Sequence, residues 1–370
     1  MIDDVDKKIL HGLQCAPRVS FRRLGEVVGV SEQTAARRYH ALRRAGGLRV
    51  AGVVNRAVYG QAQWVTRIRC RPDRVGPLAD ALARRSDIAY AHLASGGSEI
   101  ICVIRAPFET ATGPGAGTGG TVAGAGVPQP REEILLRSLP RSASVLDVGI
   151  DLMIHPFGEP ATAGWTGYGS RLTAEQVRQL IGAPVESGAG AGADADADAG
   201  AGGGPGAGDG PLLLPTAADA PLLDALAEDG RVTHTRLAEL TGWSKARVAR
   251  RLDALETAGT LLYEVDLLPE RLGHHLSATL WLRVAPANLH RVGEEVAAHP
   301  EAAFAGAVSG RHNLLVAVVC RDAEDFYRYL TTRIATVPGI DAYEVSIQFR
   351  LLKRAASMIA HGRLVRPGPA

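Results

Sequence analysis

The stretch GVSEQTAARRYHALRRAGG at residues 29–47 returns, with substitutions, as GWSKARVARRLDALETAGT at 242–260. This repeat constrains the fold more than any other feature, because a chain that carries one local pattern twice must build one unit twice. Aligning Arg18-Val19-Ser20 on Arg231-Val232-Thr233 holds register without a gap through Leu24/Leu237, Gly29/Gly242, Arg37-Arg38/Arg250-Arg251, Leu42/Leu255 and Gly60/Gly273. The register slips by one residue to match Ser95-Gly96 with Ser309-Gly310. It then changes by sixteen more at Leu139-Pro140 against Val337-Pro338, so the first half contains an insertion.

That insertion is visible as the glycine-rich stretch 110–130, which has no apolar period and too little hydrophobic surface to order itself. A second low-complexity run, 188–211, separates the halves. Its alternating Asp194, Asp196 and Asp198 lack the flanking helices and twelfth-position Glu of a calcium-binding EF-hand, and read as a solvated linker. The resulting partition is 1–60, 61–155, a linker 156–218, 219–275, 276–355 and a tail 356–370. Within the linker, RLTAEQVRQLI at 171–181 predicts one short amphipathic helix with no assigned docking site.

The first module of each half predicts three helices. Val5, Ile9, Leu10 and Leu13 recur at helical spacing behind acidic residues, Ser20 caps a second helix that Gly29 ends, and Ser31 caps a third. The second copy places its helices at about 219–228, 234–241 and 245–258. Two short helices joined by a tight glycine turn, the second bearing outward charge, describe a helix-turn-helix, whose last helix enters the DNA major groove. In the first copy Glu32, Gln33, Thr34 and Arg37 are candidates for base edges and Arg38, Arg43 and Arg44 for phosphates, with the cap Ser31 counted in the DNA-binding set. In the second the set is Ser244, Lys245, Arg247, Arg250 and Arg251. Arginines on a helix can equally form a plain solvated face; duplication of the whole motif favours the DNA reading.

The second module of each half follows the order strand, helix, strand, strand, helix, strand of a ferredoxin-like sandwich. In the first half the segments are WVTRIRC, 73–84, IAYAHLAS, EIICVIRA, 131–139 and ASVLDVGIDLM. The fold class is therefore α+β: tandem winged-helix-like helix-turn-helix modules, each followed by a ferredoxin-like βαββαβ module. With DVDKKILHGL, PRVSFRRLGEVVGVSEQTAARRYHALRRAGG and a late VPGI before the last strand, the chain resembles two fused protomers of the Lrp/AsnC family of leucine-responsive, feast-or-famine regulators. The resemblance covers about 1–155 and 219–354. It implies double-stranded DNA as partner, pairing of the ferredoxin-like modules, further assembly into a homo-oligomer, and a small effector, often an amino acid, held between modules. It also implies an effector site near the turn between the second and third strands, at a Gly-x-x-Asp pattern. Here the matches are Gly96 with Glu99 and Gly310 with Asn313, and neither carries the Asp; both positions also fit simple hairpin-turn chemistry.

Cys15, Cys70, Cys102 and Cys320 stand far apart without metal-site spacing and suit small buried apolar positions. No catalytic motif, metal site or cofactor is called for, no apolar run reaches the roughly 20 residues of a membrane span, and the acidic start is unlike a signal peptide; a cytoplasmic protein is expected. Two other function classes share the architecture. A siroheme decarboxylase-like enzyme has the same two-module build in fused pairs, and would need histidines such as His274, His275 and His312 around a tetrapyrrole cavity. A partner that modulates another regulator would need no groove-reading helix. Ser-capped, Arg-bearing third helices in both halves favour the regulator.

Three expectations follow. One chain is a pseudo-dimer with its two ferredoxin-like sheets face to face and two reading helices on one pseudo-palindromic site. Chains associate further through those modules. Residues 1–60 hold eleven Lys/Arg against five Asp/Glu, and 219–275 hold seven against ten, so Arg37 and Arg38 should outweigh Arg250 and Arg251 in phosphate binding.

Overall fold

In a computed structural model of the chain, residues 2–107, 144–158, 164–182 and 213–367 are described. The insertion 110–130, the helix expected at 131–139 and the acidic run of the linker lie outside them.

The first three helices are α1 (Asp4–Cys15), α2 (Phe21–Val28) and α3 (Glu32–Arg44), and local chemistry sets each boundary. Asp3 and Asp6 form a reciprocal capping box on α1. Ser20 and Ser31 accept the N–H groups of Arg23 and Thr34, and Gly29 ends α2 at a φ of 84°, which costs a glycine little. Ile9, Leu10, Leu13, Leu24, Ala35 and Tyr39 close the core between them.

A strand, β1 (Leu48–Val54), leads into the first ferredoxin-like unit. That unit contains β2 (Gln61–Cys70), α4 (Val75–Arg84), β3 (Ile88–Ala94), β4 (Glu99–Pro107) and β5 (Val145–Phe157). The segment that follows carries α5 (Ala174–Ile181), and the second half repeats the helical trio as α6 (Ala220–Glu228), α7 (His234–Thr241) and α8 (Lys245–Thr257). Then come β6 (Leu261–Leu267), β7 (Leu276–Val284), α9 (Leu289–Ala297), β8 (Ala302–Val308), β9 (Leu314–Cys320), α10 (Ala323–Arg328) and β10 (Ile340–Arg354). The expected tail instead folds into a hairpin, β11 (Ser357–Ala360) and β12 (Arg363–Val365). Leu364 N–H donates to the Gly46 carbonyl, which docks the hairpin on the end of the first helical unit.

The halves are locked at two levels. Strands β1 and β6 pair antiparallel along their whole length, with Ala51 opposite its own repeat counterpart Glu264, so a pseudo-two-fold axis crosses the ribbon there. Beyond the ribbon the two sheets merge. Strand β5 pairs first with β2 and then, from Met153, with β8 of the other half; β10 pairs with β7 and then, from Gln348, with β3. Each long last strand thus completes both sheets, and eight antiparallel strands close in the order β3-β4-β2-β5-β8-β9-β7-β10. The sheets face each other as expected, but the exchange at both edges, invisible in the repeat, makes them one ring. Val65, Ala94, Ile101, Trp281, Val308 and Leu315 fill part of its interior.

Cys70, Cys102 and Cys320 are buried, and burial raises their thiols to about 11, about 12 and about 12. Cys15 is half-buried. Segment 164–182 straps the two halves on one side. Trp165 donates to the Pro300 carbonyl, Tyr168 and Gln14 hydrogen-bond, and Gln176 of α5 donates to the Val27 carbonyl at the end of α2. The short linker helix therefore has a docking site after all, on the first helical unit.

Candidate functional site

Two places concentrate chemistry: the outer faces of α3 and α8, and a cavity inside the ring of strands. The helices are set by their amphipathic pattern. Ala35 and Tyr39 turn inward on α3, and Val248, Leu252 and Leu255 on α8. Gln33, Arg37 and Arg44 stay exposed on the first helix, Lys245, Arg247 and Arg250 on the second. Arg247 lies over the Trp243 ring at 4.2 Å. Ser31 and Ser244 are spent as caps, with Ser31 also donating to Thr34.

Not every expected phosphate-binding arginine is available. Arg38 bonds Asp3 at 2.6 Å and Asp6 at 3.0 Å, and its counterpart Arg251 bonds Asp219 at 2.6 and 2.8 Å. Burial alone would raise the Asp219 carboxyl, but its bonds to Arg251 and Thr216 outweigh that and hold it below the ordinary value. Arg43 pairs with Asp229 across the halves at 2.5 Å. These three arginines brace helices against one another. Counting cations exposed on the helices reverses the ranking expected from local net charge: α3 keeps Arg37 and Arg44, and α8 keeps Lys245, Arg247 and Arg250.

The two units are held at one spacing by a reciprocal contact. Arg18 donates to the carbonyls of Gly230 and Val232 at 2.5 and 3.1 Å, and Arg231 donates to those of Pro17 and Val19 at 2.5 and 2.7 Å. Each arginine is the other's repeat counterpart, and each reaches the residues flanking the other. Arg231 also stacks on Phe21 at 4.5 Å.

The cavity, about 480 Å³, opens where β2, β5, β7 and β10 converge with the β3–β4 and β8–β9 turns. Glu99 is 4% exposed. It accepts bonds from Arg67 at 2.9 Å, Ser346 at 2.8 Å and Ser95 at 3.2 Å. Arg67 also bonds Glu344 of the other half at 2.7 Å and lies over Trp281 at 4.4 Å. Burial would lower the Arg67 guanidinium, but its bonds to Glu344 and Glu99 outweigh that and raise it. Arg67 and Trp281 are themselves repeat counterparts, so the cavity straddles the pseudo-axis while its two sides differ in charge.

The lining also includes Asp147 and Asp151 of β5 with Arg69, Arg311 and His312, and the ladder sets Asp147 opposite Arg69. Burial pushes the Asp151 carboxyl up, opposed by Arg67 and His312. A site that presents separate carboxylates and guanidiniums in one small volume fits a ligand carrying both charges.

Of the four residues expected to hold an effector, Glu99 lines the cavity. Gly96 supplies a left-handed turn at φ 68°, and Gly310 leaves room for Asp151, whose carboxylate would clash with a Cβ there. Asn313 is turned away: its amide brackets the Val284 backbone at 2.9 and 2.8 Å. Sequence reasoning missed Arg67, Arg69, Asp151 and Glu344. The alternation in WVTRIRC, which puts Arg67 and Arg69 on one strand face between inward apolar residues, was the available signal. The histidines weighed for a tetrapyrrole pocket are scattered: His274 packs on Trp165 at 4.7 Å, while His312 is in the cavity.

Comparison with known proteins matches residues 2–43 and 217–256 to the AsnC-type helix-turn-helix domain and residues 277–358 to the Lrp/AsnC ligand binding domain. An uncharacterised HTH-type transcriptional regulator of Pyrococcus abyssi is 28% identical over 130 residues, 35% of this chain and 82% of that protein. The leucine-responsive regulatory protein of Rhizobium meliloti is 28% identical over 146 residues, covering 38% and 94%. Among solved structures, the siroheme decarboxylase NirDL overlays 95% of this chain and 93% of its own with a TM-score of 0.56 at 12% identity, a likeness of fold.

Proposed function

We propose that this chain, a transcription regulator of the Lrp/AsnC type with two matched helix-turn-helix domains and one matched ligand binding domain, reads an asymmetric DNA site as a single chain under the control of a small zwitterionic effector. The matched domains and relatives are those of regulators, not enzymes. The observation that carries the proposal is the pairing of two exposed reading helices, held by the Arg18/Arg231 contact, with a cavity of mixed charge on the same pseudo-axis.

Gln33, Thr34 and Arg37 face one half-site, and Lys245, Arg247 and Arg250 the other. Because these sets differ, the two halves of the operator differ too: a bidentate amide on one side suits adenine, and guanidiniums on the other suit guanine. In the cavity, Asp147 and Asp151 take the effector's ammonium and Arg69 and Arg311 its carboxylate, the charge pattern of an amino acid or a related metabolite; one relative is named for its response to leucine. An effector that touches both halves can alter the angle between the reading helices, provided it binds the two arrangements unequally.

The test is calorimetric titration of the full chain with a panel of free amino acids, repeated for Asp151→Asn, followed by footprinting on genomic fragments with and without any ligand found. Binding lost in Asp151→Asn and a shifted footprint support the reading. A chain that protects no DNA sequence selectively overturns it.

A further inference from the structure

Strand β5 leaves its own sheet after Leu152 and runs along β8 beneath α9, where Phe157 fills the space left by the absent side chain of Gly293. This crossing brings His155, from the first half, beside His290 and Glu294, from the second. One ligand atom from each lies within 4.8 Å of those of the other two. His290 and Glu294 are one helical turn apart on the exposed side of α9, so both project toward the same point. All three are exposed, and among the described residues no hydrogen bond or ion pair engages any of the three side chains. Ring contacts with Phe157, at 5.0 Å from His155 and 5.9 Å from His290, fix where the imidazoles stand.

The pseudo-symmetry shows that this position is a joint. The ladder pairs His155 with Ala307 and Arg350 with Leu93, counterparts in the two halves, which makes Arg350 the counterpart of His155. On the helix, α4 supplies Asp80 where α9 has Glu294. Arg350 and Asp80 form an ion pair at 3.3 Å, tying the crossing strand of one half to the helix of the other. At one end of the ring the strand-to-helix joint is therefore closed by opposite charges. At the other end it presents two imidazoles and a carboxylate, with no cation among them.

We propose that His155, His290 and Glu294 bind a late first-row divalent cation of the Zn²⁺ type, which closes the second joint between the halves. Two imidazoles and one carboxylate match the borderline softness of Zn²⁺, with bonds of about 2.0–2.2 Å and water in the remaining position. Bonds of that length put ligand atoms about 3.3 Å apart in a tetrahedron, so modest rotation of exposed side chains closes the set. The cation adds what the triad lacks, a positive centre shared by both halves, where Arg350 supplies it at the other end.

The experiment uses the full chain stripped with a chelator and titrated with Zn²⁺ alone, in calorimetry and in thermal melts. One Zn²⁺ per chain is expected, with a raised melting temperature. His155→Ala and Glu294→Gln should each weaken binding at least tenfold and abolish the shift, while His361→Ala, at an exposed hairpin turn, should bind as the parent does. Co²⁺ substitution gives a second reading, a visible d–d band for the parent that His155→Ala loses. Circular dichroism checks that the variants, all at exposed positions, remain folded. Absence of micromolar binding by the parent, or a loss smaller than tenfold in either variant, overturns the proposal.

Discussion

Replacing Arg18 and Arg231 tests whether the reciprocal contact sets the distance between the reading helices. Each guanidinium makes two bonds to carbonyls of the other half. At about 1.5–3 kcal/mol for a hydrogen bond with a charged partner, the pair is worth about 3–6 kcal/mol. Freeing the side chain on truncation returns about 2 kcal/mol of rotamer entropy, leaving a net loss of about 1–4 kcal/mol for either single variant. Arg231→Ala should lose more than Arg18→Ala, because Arg231 lies over two rings, Phe21 at 4.5 Å and Tyr39 at 5.2 Å, and Arg18 over one, Tyr263 at 5.6 Å. Urea unfolding followed by intrinsic fluorescence measures this as a lower midpoint at unchanged slope. The double variant should lose less than the sum, since the first substitution already loosens the joint.

The functional arm is spacer selectivity. A rigid pair of helices demands half-sites about 10–10.5 base pairs apart, so inserting two base pairs should cost the parent about tenfold in affinity and the double variant about threefold or less. Single variants that lose under about 0.5 kcal/mol, or a double variant with the parent's spacer preference, would refute the reasoning.

Four further outcomes are expected. Glu264, at the centre of the β1–β6 ribbon, is raised to about 7 by burial and by neighbouring Asp266. A raised carboxyl stabilises the fold fully below the unfolded value near 4.3 and loses that contribution as pH rises through about 7, so Glu264→Gln should gain about 1–3 kcal/mol at pH 8 and little at pH 4, read from melts at both. Arg251→Ala strands an Asp219 side chain that is 1% exposed and should cost about 3–5 kcal/mol in urea unfolding, more than Arg38→Ala, whose partners Asp3 and Asp6 are 52% and 12% exposed. Because each phosphate contact adds about 0.9 to the log-log salt slope, the triple Ala variant of Lys245, Arg247 and Arg250 should flatten the slope by about 2.7 against about 1.8 for Arg37 and Arg44 together; titration of one operator fragment at several salt concentrations decides. Tyr343, Ile347 and Phe349, at 55, 40 and 69% exposure on β10, form an apolar run suited to self-association, so Phe349→Asp should return an assembled chain to single-chain mass in light scattering.

Much of the fold was legible because it rests on local signals. Serine caps at 20, 31 and 244, glycines at 29 and 242, and a recurring apolar spacing are written in the residues that obey them. What escaped the sequence is set by pairing across distance. Nothing in Met153 or Gln348 announces that the strand changes partner there, and the sets Arg67/Glu344 and His155/His290/Glu294 assemble only once it does. Arg38 and Arg251 misled for a related reason: an arginine on a helix reads as free until the carboxylate it bonds, over thirty residues away in sequence, is known. Local net charge differs from the number of cations left exposed on each helix on the same account.

Closure of the ring also dictates an order of events on the ribosome. Strand β3 emerges early, yet the partner of Ala94 is Gln348, close to the end of the chain. Throughout synthesis of the second half the first sheet has one edge open, with its N–H and C=O groups unpaired and competent to join any other strand. The last step of folding is a long-range one, slow by the rule that distant contacts slow the rate. A chain truncated before β10 should therefore fail in a particular way, keeping its first helical unit folded while pairing edge to edge with its neighbours.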